Sequence, residues 1–202
     1  MIEEKSTSDR GYKVFISFIQ IYNESIYDLI DPNDGKALKM RWNKLQQFTV
    51  ENMFEGQCRS EEEALRWWRK GQKNKIMGSH KMNNTSSRSH CLLTFRVQSY
   101  LLEDPSEQIE SKLEIVDLAG SERHKVTKST GVVFKEGIEI NKSLFTLRQV
   151  IASLYEVSTG NKTQLIAPYR DSKLTSLLKQ SIGGNSYCMM VACLNPTMTH
   201  FE

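Results

Sequence analysis

Apolar residues along the chain fall into short blocks, and their spacing predicts strands in the first quarter. Residues Lys13 to Tyr22 are dense in Val, Ile, Phe and Tyr without helical spacing, which predicts a buried strand. The segment Asp31 to Gly35, Asp-Pro-Asn-Asp-Gly, is typical of a turn. Short strands are expected near Met40 and Phe48. The chain therefore opens with β structure.

A helix is predicted to follow these strands. Ser60-Glu61-Glu62-Glu63 matches a capping box, in which the Ser and the third Glu satisfy backbone N–H groups at a helix start. Gly71 is the expected end, because glycine is common just after a helix. Leu65 and Trp68 are the residues expected on its apolar face.

Two longer strands are predicted in the middle of the chain. Cys91 to Leu102 and Ile109 to Leu118 are separated by Glu103-Asp104-Pro105-Ser106, a polar turn suited to an antiparallel hairpin. In such a hairpin the first strand begins beside the end of the second. We therefore expect Ser87 and Asp117 at the same edge of the sheet.

The last third of the chain has helical periodicity. From Ile140 onward, apolar residues recur at spacings of four and three, as on one buried helical face, at Leu144, Leu147, Ile151 and Leu154. A second helix is expected after Pro168, stopped by Gly183-Gly184. Its inward residues are expected to be Leu174, Leu177, Leu178 and Ile182. Tyr187 to Leu194 is predicted to be a core strand.

Composition is that of a soluble globular protein. The 202 residues are 39% hydrophobic and 25% charged, which suits one substantial domain without a low-complexity linker. The N-terminus lacks a signal-peptide core and the longest apolar run is too short to span a bilayer, so a cytoplasmic location is expected. The four cysteines contain no C-x-x-C pair, which favours reduced thiols over disulfides or a zinc site.

Charge is unevenly distributed, although the net charge is only +3. Residues 123–201 hold ten Lys/Arg and four Asp/Glu, a net charge of +6. A basic region suits nucleic acid, a membrane or an acidic protein surface, and an evenly solvated surface is the alternative. Nucleic acid is disfavoured, because no aromatic stacking or recognition signature accompanies the basic residues.

Two polar segments at the expected hairpin edge could bind a nucleotide phosphate. Ser86 and Ser87, beside Asn83, offer hydroxyls that could bind Mg²⁺ or orient water. Asp117 could hold Mg²⁺, directly or through water, and Gly120 lets a backbone N–H approach a γ-phosphate. Each pattern alone is weak, since a Ser/Asn cluster is more often a turn.

Opposite charges on the two segments strengthen the hypothesis. Arg88 and Glu122 could pair when both segments close around a nucleotide. The alternative is a surface salt bridge worth at most about 1 kcal/mol.

Six stretches in order resemble a kinesin motor domain. They cover the chain from about Lys13 to Pro196 and are Ile21-Tyr22-Asn23-Glu24 with Asp28-Leu29, Ser86-Ser87-Arg88-Ser89-His90, Asp117-Leu118-Ala119-Gly120-Ser121-Glu122-Arg123, Ile140-Asn141-Lys142-Ser143-Leu144, Pro168-Tyr169-Arg170-Asp171-Ser172-Lys173-Leu174-Thr175 and Gly183-Gly184-Asn185-Ser186. The resemblance implies an α/β fold of the P-loop NTPase type, with a central mixed β-sheet flanked by helices. It also implies an ATP- and Mg²⁺-dependent motor whose partner is the microtubule.

The resemblance assigns a role to each segment. Switch I would comprise Asn83, Ser86 and Ser87, and switch II Asp117 and Gly120, with Arg88 and Glu122 as the ion pair that closes the site. The catalytic residues implied are Ser87, Arg88, Gly120 and Glu122, and the magnesium ligands Ser87 and Asp117. Microtubule contacts are implied at Arg123, Lys142, Arg170 and Lys173. No membrane partner is expected.

Several features depart from the family pattern. Lys125-Val126-Thr127-Lys128 replaces Ser-Lys-Thr-Gly, Ile166 replaces a common His, and Ser176 stands where a basic residue often touches tubulin. The phosphate-binding G-x-x-x-x-G-K-[ST] is not present in the 202 residues. Residues 1–202 are therefore expected to be a partial motor domain that lacks the N-terminal strands, with a gap beside Val116 and Val191.

Within that domain, residues 1–12 are expected to be a flexible start, 13–196 the motor core, and 197–202 the beginning of a C-terminal helical region. Two functions follow from the resemblance. The first is an ATP-hydrolysing microtubule motor, of which this is the C-terminal two-thirds. The second is a microtubule-binding or interfering module without nucleotide binding. A regulatory GTPase would share the D-x-x-G pattern but leaves the other stretches unexplained.

Overall fold

The computed structural model describes residues 9–81, 88–104, 106–120, 132–161, 163 and 166–193. The strands are β1 (Arg10–Tyr22), β2 (Ser25–Asp28), β3 (Met40–Trp42), β4 (Phe48–Val50), β5 (Gly56–Cys58), β6 (His90–Leu101) and β7 (Gln108–Asp117). The helices are α1 (Glu61–Lys81), α2 (Val132–Ser158), α3 (Lys173–Leu177) and α4 (Lys179–Gly183). Short 3₁₀ turns occupy Asn33–Gly35 and Tyr169–Asp171.

A five-stranded sheet forms the centre of the molecule. Its order is β2-β1-β6-β7, with β5 also paired to β1, and each of these pairs is antiparallel. The hairpin β3–β4 forms a separate two-stranded sheet. The predicted strand near Lys13–Tyr22, the short strands at Met40 and Phe48, and the hairpin of β6 and β7 are all confirmed.

Apolar residues of β1 point alternately to two faces, and both faces are covered. Ile19 and Ile21 pack in a cluster with Leu147 of α2 and Leu174 of α3. Ile16 and Phe18 belong to a second cluster, against which Trp67 of α1 packs. Helices on both faces explain why β1 is almost continuously apolar, since a strand buried on both sides need not alternate with polar residues.

Asp28 holds the chain together where β2 ends. Its side chain accepts hydrogen bonds from the backbone N–H groups of Ile30 (2.8 Å), Asp31 (2.8 Å) and Phe54 (2.7 Å). Burial raises the pKa of Asp28 above its ordinary value, although these three donors favour the carboxylate. The residue thus connects segments that are 26 positions apart.

Helix α1 differs from its prediction at its end and on its face. It continues through Gly71 to Lys81, and Leu65 and Trp68 are exposed. Trp67 lies inward instead, with its ring centroid 4.9 Å from that of Phe54. Gly71 faces Phe18 so closely that an added Cβ would lie 2.3 Å from the Phe18 ring. Glycine is therefore a packing residue within this helix.

Helix α2 confirms the predicted long helix, but it begins earlier and its buried face is partly polar. Leu147 and Val150 are buried together with two hydroxyl residues, Ser143 and Thr146. Ile151, expected inward, is exposed in an apolar groove of about 490 Å³ that also includes Leu118, Leu144, Tyr155 and Met190. The buried face of α2 is therefore rotated about the helix axis from the purely apolar face that the sequence predicts.

The second predicted helix is present as two short helices. They meet at Leu178, whose φ and ψ of −80° and 1° depart from helical values. Leu174 and Leu178 are buried as expected. No helix in the described part of the chain is long and apolar enough to cross a membrane.

The predicted core strand at Tyr187–Leu194 is wrong for the residues that the structure describes there. Residues 187–193 form no strand, and Tyr187, Met189, Met190 and Val191 are exposed. A segment gains strand geometry by pairing with a neighbour, and the described strands do not pair with this one. Among the described residues, β7 pairs with a neighbouring strand along one of its edges only, and that strand is β6.

Candidate functional site

The two polar segments identified in the sequence adjoin the same end of the β6–β7 hairpin along the chain. Cys91, near the start of β6, is paired with Asp117, the last residue of β7. Ser89, just before β6, is buried and accepts a hydrogen bond from Gln20 Nε2 at 2.8 Å. The predicted pairing of the start of β6 with the end of β7 is therefore confirmed.

Some of the predicted site residues lie outside the described residues. These are Asn83, Ser86, Ser87, Glu122 and Arg123. The pairing of Arg88 with Glu122 and the approach of Ser87 to Asp117 therefore stay predictions. Arg88 itself is half-buried at the entrance to β6, and Gly120 is half-buried after β7.

His90 lies at the centre of this hairpin end. The backbone N–H of Ala119 donates to His90 Nδ1 at 2.9 Å, and His90 Nε2 lies 2.8 Å from Ser143 Oγ on α2. Because Nδ1 accepts, a neutral ring carries its proton on Nε2, which then donates to Ser143. The sequence pattern did not indicate a role for His90, although this residue stands within the Ser86–His90 stretch.

The imidazole of His90 is uncharged near neutral pH. His90 is only 3% exposed, and this burial lowers the pKa of its ring from 6.5 to about 4. The Asp117 charge acts in the opposite direction but is the weaker effect. The neutral imidazole, with one acceptor and one donor nitrogen, is therefore the form of His90 present at physiological pH.

Asp117 has a basic partner that the sequence did not indicate. Lys75 Nζ of α1 lies 3.3 Å from Asp117 Oδ2, and the Lys75 side chain is 14% exposed against 75% for Asp117. Burial alone would lower the pKa of Lys75, but Cys91 and Asp117 raise it above its ordinary value. Burial also raises the pKa of the Cys91 thiol, and the neighbouring Lys75 ammonium opposes that shift.

The chemistry of Asp117 fits a magnesium ligand. Mg²⁺ prefers oxygen ligands, and it is commonly held by one or two carboxylates together with phosphate oxygens. The Asp117 carboxylate is largely exposed at the hairpin end, so an ion could reach it. Lys75 would compete with that ion for the same carboxylate.

A second polar surface lies around Trp42 at the end of β3. The Arg170 guanidinium is 5.4 Å and the Lys179 ammonium 4.5 Å from the Trp42 ring centroid. They line a groove of about 260 Å³ with Phe48 and Pro168. The sequence indicated Arg170 but missed Trp42 and Lys179, because these residues come together only through folding.

The other predicted basic residues have different environments. Lys142 is exposed on α2 and Lys173 is half-buried at the start of α3. Ser176, expected from the resemblance to replace a basic residue, is buried and donates to the Tyr169 carbonyl at 2.8 Å. Ser176 therefore stabilises the turn before α3.

The β1–β2 turn holds α3 in place through Glu24. Asn23 and Glu24 have positive φ values of 49° and 53°, as required in a two-residue hairpin turn. Glu24 Oε2 accepts a hydrogen bond from the Lys173 backbone N–H at 2.8 Å, and Oε1 accepts one from Ser172 Oγ at 3.3 Å. This contact connects two of the sequence stretches that carried the family resemblance.

Replacing Glu24 with alanine is expected to lower the free energy of unfolding by about 2 kcal/mol, because it removes two hydrogen bonds to a carboxylate. Urea denaturation measures this change. Glu51→Ala is the control, since Glu51 makes an exposed ion pair with Arg41 that should contribute less than about 1 kcal/mol. Equal losses for the two variants would refute the role assigned to Glu24.

Comparison with known proteins connects this architecture to one family. A sequence model of the kinesin motor domain matches residues 1–202. Kinesin-related protein 1 of Dictyostelium discoideum is 43% identical over 196 residues, which are 95% of this chain and 9% of that protein. Chromosome-associated kinesin KIF4 of Mus musculus is 36% identical over 202 residues, 99% of this chain and 16% of that protein.

Solved structures agree in fold. A fast kinesin has a TM-score of 0.78 at 33% identity, over 92% of this chain and 50% of the other. A KIF14 dimer in complex with a microtubule has a TM-score of 0.78 at 37% identity, over 92% of this chain and 53% of the other. The expected α/β fold is confirmed. The chain spans about half the length of these structures and a smaller share of the curated relatives.

Proposed function

Because this chain belongs to the kinesin motor domain family, we propose that it works in a microtubule motor that couples ATP binding and hydrolysis to movement. The observation that carries the proposal is the hairpin end, where the start of β6, which follows the first switch segment in the chain, pairs at Cys91 with Asp117 at the end of β7. A nucleotide bound there would contact both segments at once. The location of this protein in the cell would be the microtubule cytoskeleton.

Different residues at the hairpin end would contact different parts of the nucleotide. Gly120 would present its backbone N–H to the terminal phosphate without a side chain in between. Asn83, Ser86 and Ser87 would contact the nucleotide from the other segment. Arg88 and Glu122 would close the site by pairing, and so exclude water around the reacting phosphate.

Asp117, with Ser87, would hold a magnesium ion, directly or through water. A bound Mg²⁺ neutralises phosphate charge that develops during phosphoryl transfer. Lys75 would hold the Asp117 carboxylate in position when the ion is not bound, since it lies 3.3 Å from one carboxylate oxygen.

The microtubule-facing surface would be built on α2 and the segment before α3. Lys142 and Arg170 are exposed there, and Lys179 with Trp42 continues the surface around Arg170. Arg123 and Lys173 would add to it. The net charge of +6 over residues 123–201 supports an acidic partner surface, which tubulin would provide.

A second candidate function is microtubule binding without nucleotide. Two observations favour it for the 202 residues themselves. They contain no G-x-x-x-x-G-K-[ST] motif, and Asp117 is already paired with Lys75. In this form the chain would bind microtubules or interfere with other motors.

Cosedimentation of the 202-residue chain with microtubules, with and without ATP, separates the two functions. We expect binding that weakens as salt is raised and that ATP leaves unchanged. Release by ATP would overturn nucleotide-independent binding and establish a nucleotide site within these residues. No binding at low salt would overturn both candidate functions.

Arg170→Glu is expected to weaken this binding about tenfold, because it reverses one charge at a charged interface and removes the contact to Trp42. Lys73→Glu is the matched control, since Lys73 is exposed on α1 and undergoes the same charge change. Equal weakening by both variants would show that net charge, rather than the Arg170 surface, controls binding.

A further inference from the structure

We propose that His90 is a positioning residue that couples the loop after β7 to helix α2, so that a backbone shift at Ala119 is transmitted to that helix. This inference rests on the proposed function, in which α2 faces the microtubule and Gly120 senses the nucleotide. His90 contacts neither the phosphate nor the partner. It would act through Ala119 on one side and Ser143 on the other.

The two hydrogen bonds of His90 have fixed directions. The Ala119 N–H donates to Nδ1 at 2.9 Å, and Nε2 donates to Ser143 Oγ at 2.8 Å. Only the neutral ring protonated on Nε2 satisfies both partners. Both bonds are buried, where hydrogen bonds are electrostatically stronger and where water cannot replace them.

The ring also has a fixed anchor. His90 is the first residue of β6, and its backbone is paired with Ile21 in β1. The imidazole therefore connects the loop after β7 and helix α2 to β6, which is held in the sheet between β1 and β7. A displacement of Ala119 relative to β6 must either break the bond to Nδ1 or turn the ring, and turning the ring pulls on Ser143.

The composition of α2 is consistent with this link. Ser143 is 2% exposed and lies on the same face as the buried Leu147 and Val150. A hydroxyl at such a position requires partners to offset its loss of water. The bond to His90 supplies one of them and connects this face of the helix to the loop.

A histidine with satisfied hydrogen bonds could equally serve the core alone. The two bonds can be removed separately to distinguish these roles. Ser143→Ala removes the acceptor on α2 and leaves the Ala119 bond in place. His90→Asn places an amide oxygen near the position of Nδ1, so it keeps an acceptor for Ala119 but does not reach Ser143.

Hydrogen exchange measured by mass spectrometry on the 202-residue chain tests the coupling. In the native chain, microtubule binding is expected to change the exchange rate of the segment that carries the Ala119 N–H about tenfold. In Ser143→Ala and in His90→Asn, the chain should still bind microtubules, and this change should fall below about twofold. Ser158→Ala, at the exposed end of α2, is the control and should behave as the native chain.

The outcomes distinguish the inference from the function on which it rests. If the native chain does not bind microtubules, the proposed function fails and the inference fails with it. If the native chain binds and Ala119 exchange is unchanged, or if Ser143→Ala and His90→Asn respond as the native chain does, the proposed function stands and the inference is wrong. Exchange in the unbound variants reports any purely structural loss.

Discussion

Replacing Asp28 with alanine is expected to lower the free energy of unfolding by about 4 kcal/mol, because three backbone N–H groups lose a buried carboxylate acceptor together. The carboxylate is 3% exposed, so water cannot easily take its place. Urea denaturation measures the change as a lower midpoint at unchanged slope.

Asp28→Asn divides this effect between the two carboxylate oxygens. An asparagine can keep the oxygen that accepts from Ile30 and Asp31, whereas its NH₂ group meets the Phe54 N–H, which is also a donor. We expect about half the loss of the alanine variant. Asp31→Ala is the control, since that side chain is exposed. A loss below about 1 kcal/mol for Asp28→Ala would contradict the argument.

The second large effect is a loss of stability in acid that comes from His90. Its pKa is about 4 in the folded chain and 6.5 as the ordinary value, so between these limits the unfolded chain binds the proton more readily. The contribution of His90 is complete above pH 6.5 and is lost as pH falls toward 4. The loss amounts to about 3 kcal/mol.

Comparison with His90→Asn isolates this contribution, because asparagine does not titrate and the other three histidines cancel in the difference. Free energies of unfolding of both proteins should be measured from pH 7 to pH 4. The stability of the native chain relative to the variant should fall across that window. A constant difference would mean that the folded environment does not depress the pKa of His90.

Local sequence patterns predicted the elements well where each residue's environment follows from its neighbours in the chain. The density of apolar residues predicted β1, and a polar turn predicted the β6–β7 hairpin. They failed for the faces of the helices. Trp67 rather than Trp68 lies inward, because α1 approaches the sheet at Gly71, where Phe18 fills the space of a missing side chain.

The candidate site was predicted in part. The sequence indicated that the start of β6 and the end of β7 would lie side by side, and the register of Cys91 with Asp117 confirms this. It did not indicate that Lys75 would reach Asp117 or that His90 would bridge to Ser143. Those partners are 42 and 53 positions away, and no local pattern encodes such a distance.

The sequence by itself determined the strand β1, the β6–β7 hairpin, the approximate positions of the helices and the family to which the chain belongs, because periodicity and ordered motifs are properties of neighbouring residues. Only the tertiary structure decided which remote polar groups bond to one another. Glu24 with Lys173, Asp28 with Phe54, and His90 with Ala119 and Ser143 are such groups. A hydrogen bond requires its two atoms within about 3 Å, and only the packing of the sheet between its helices brings these atoms that close.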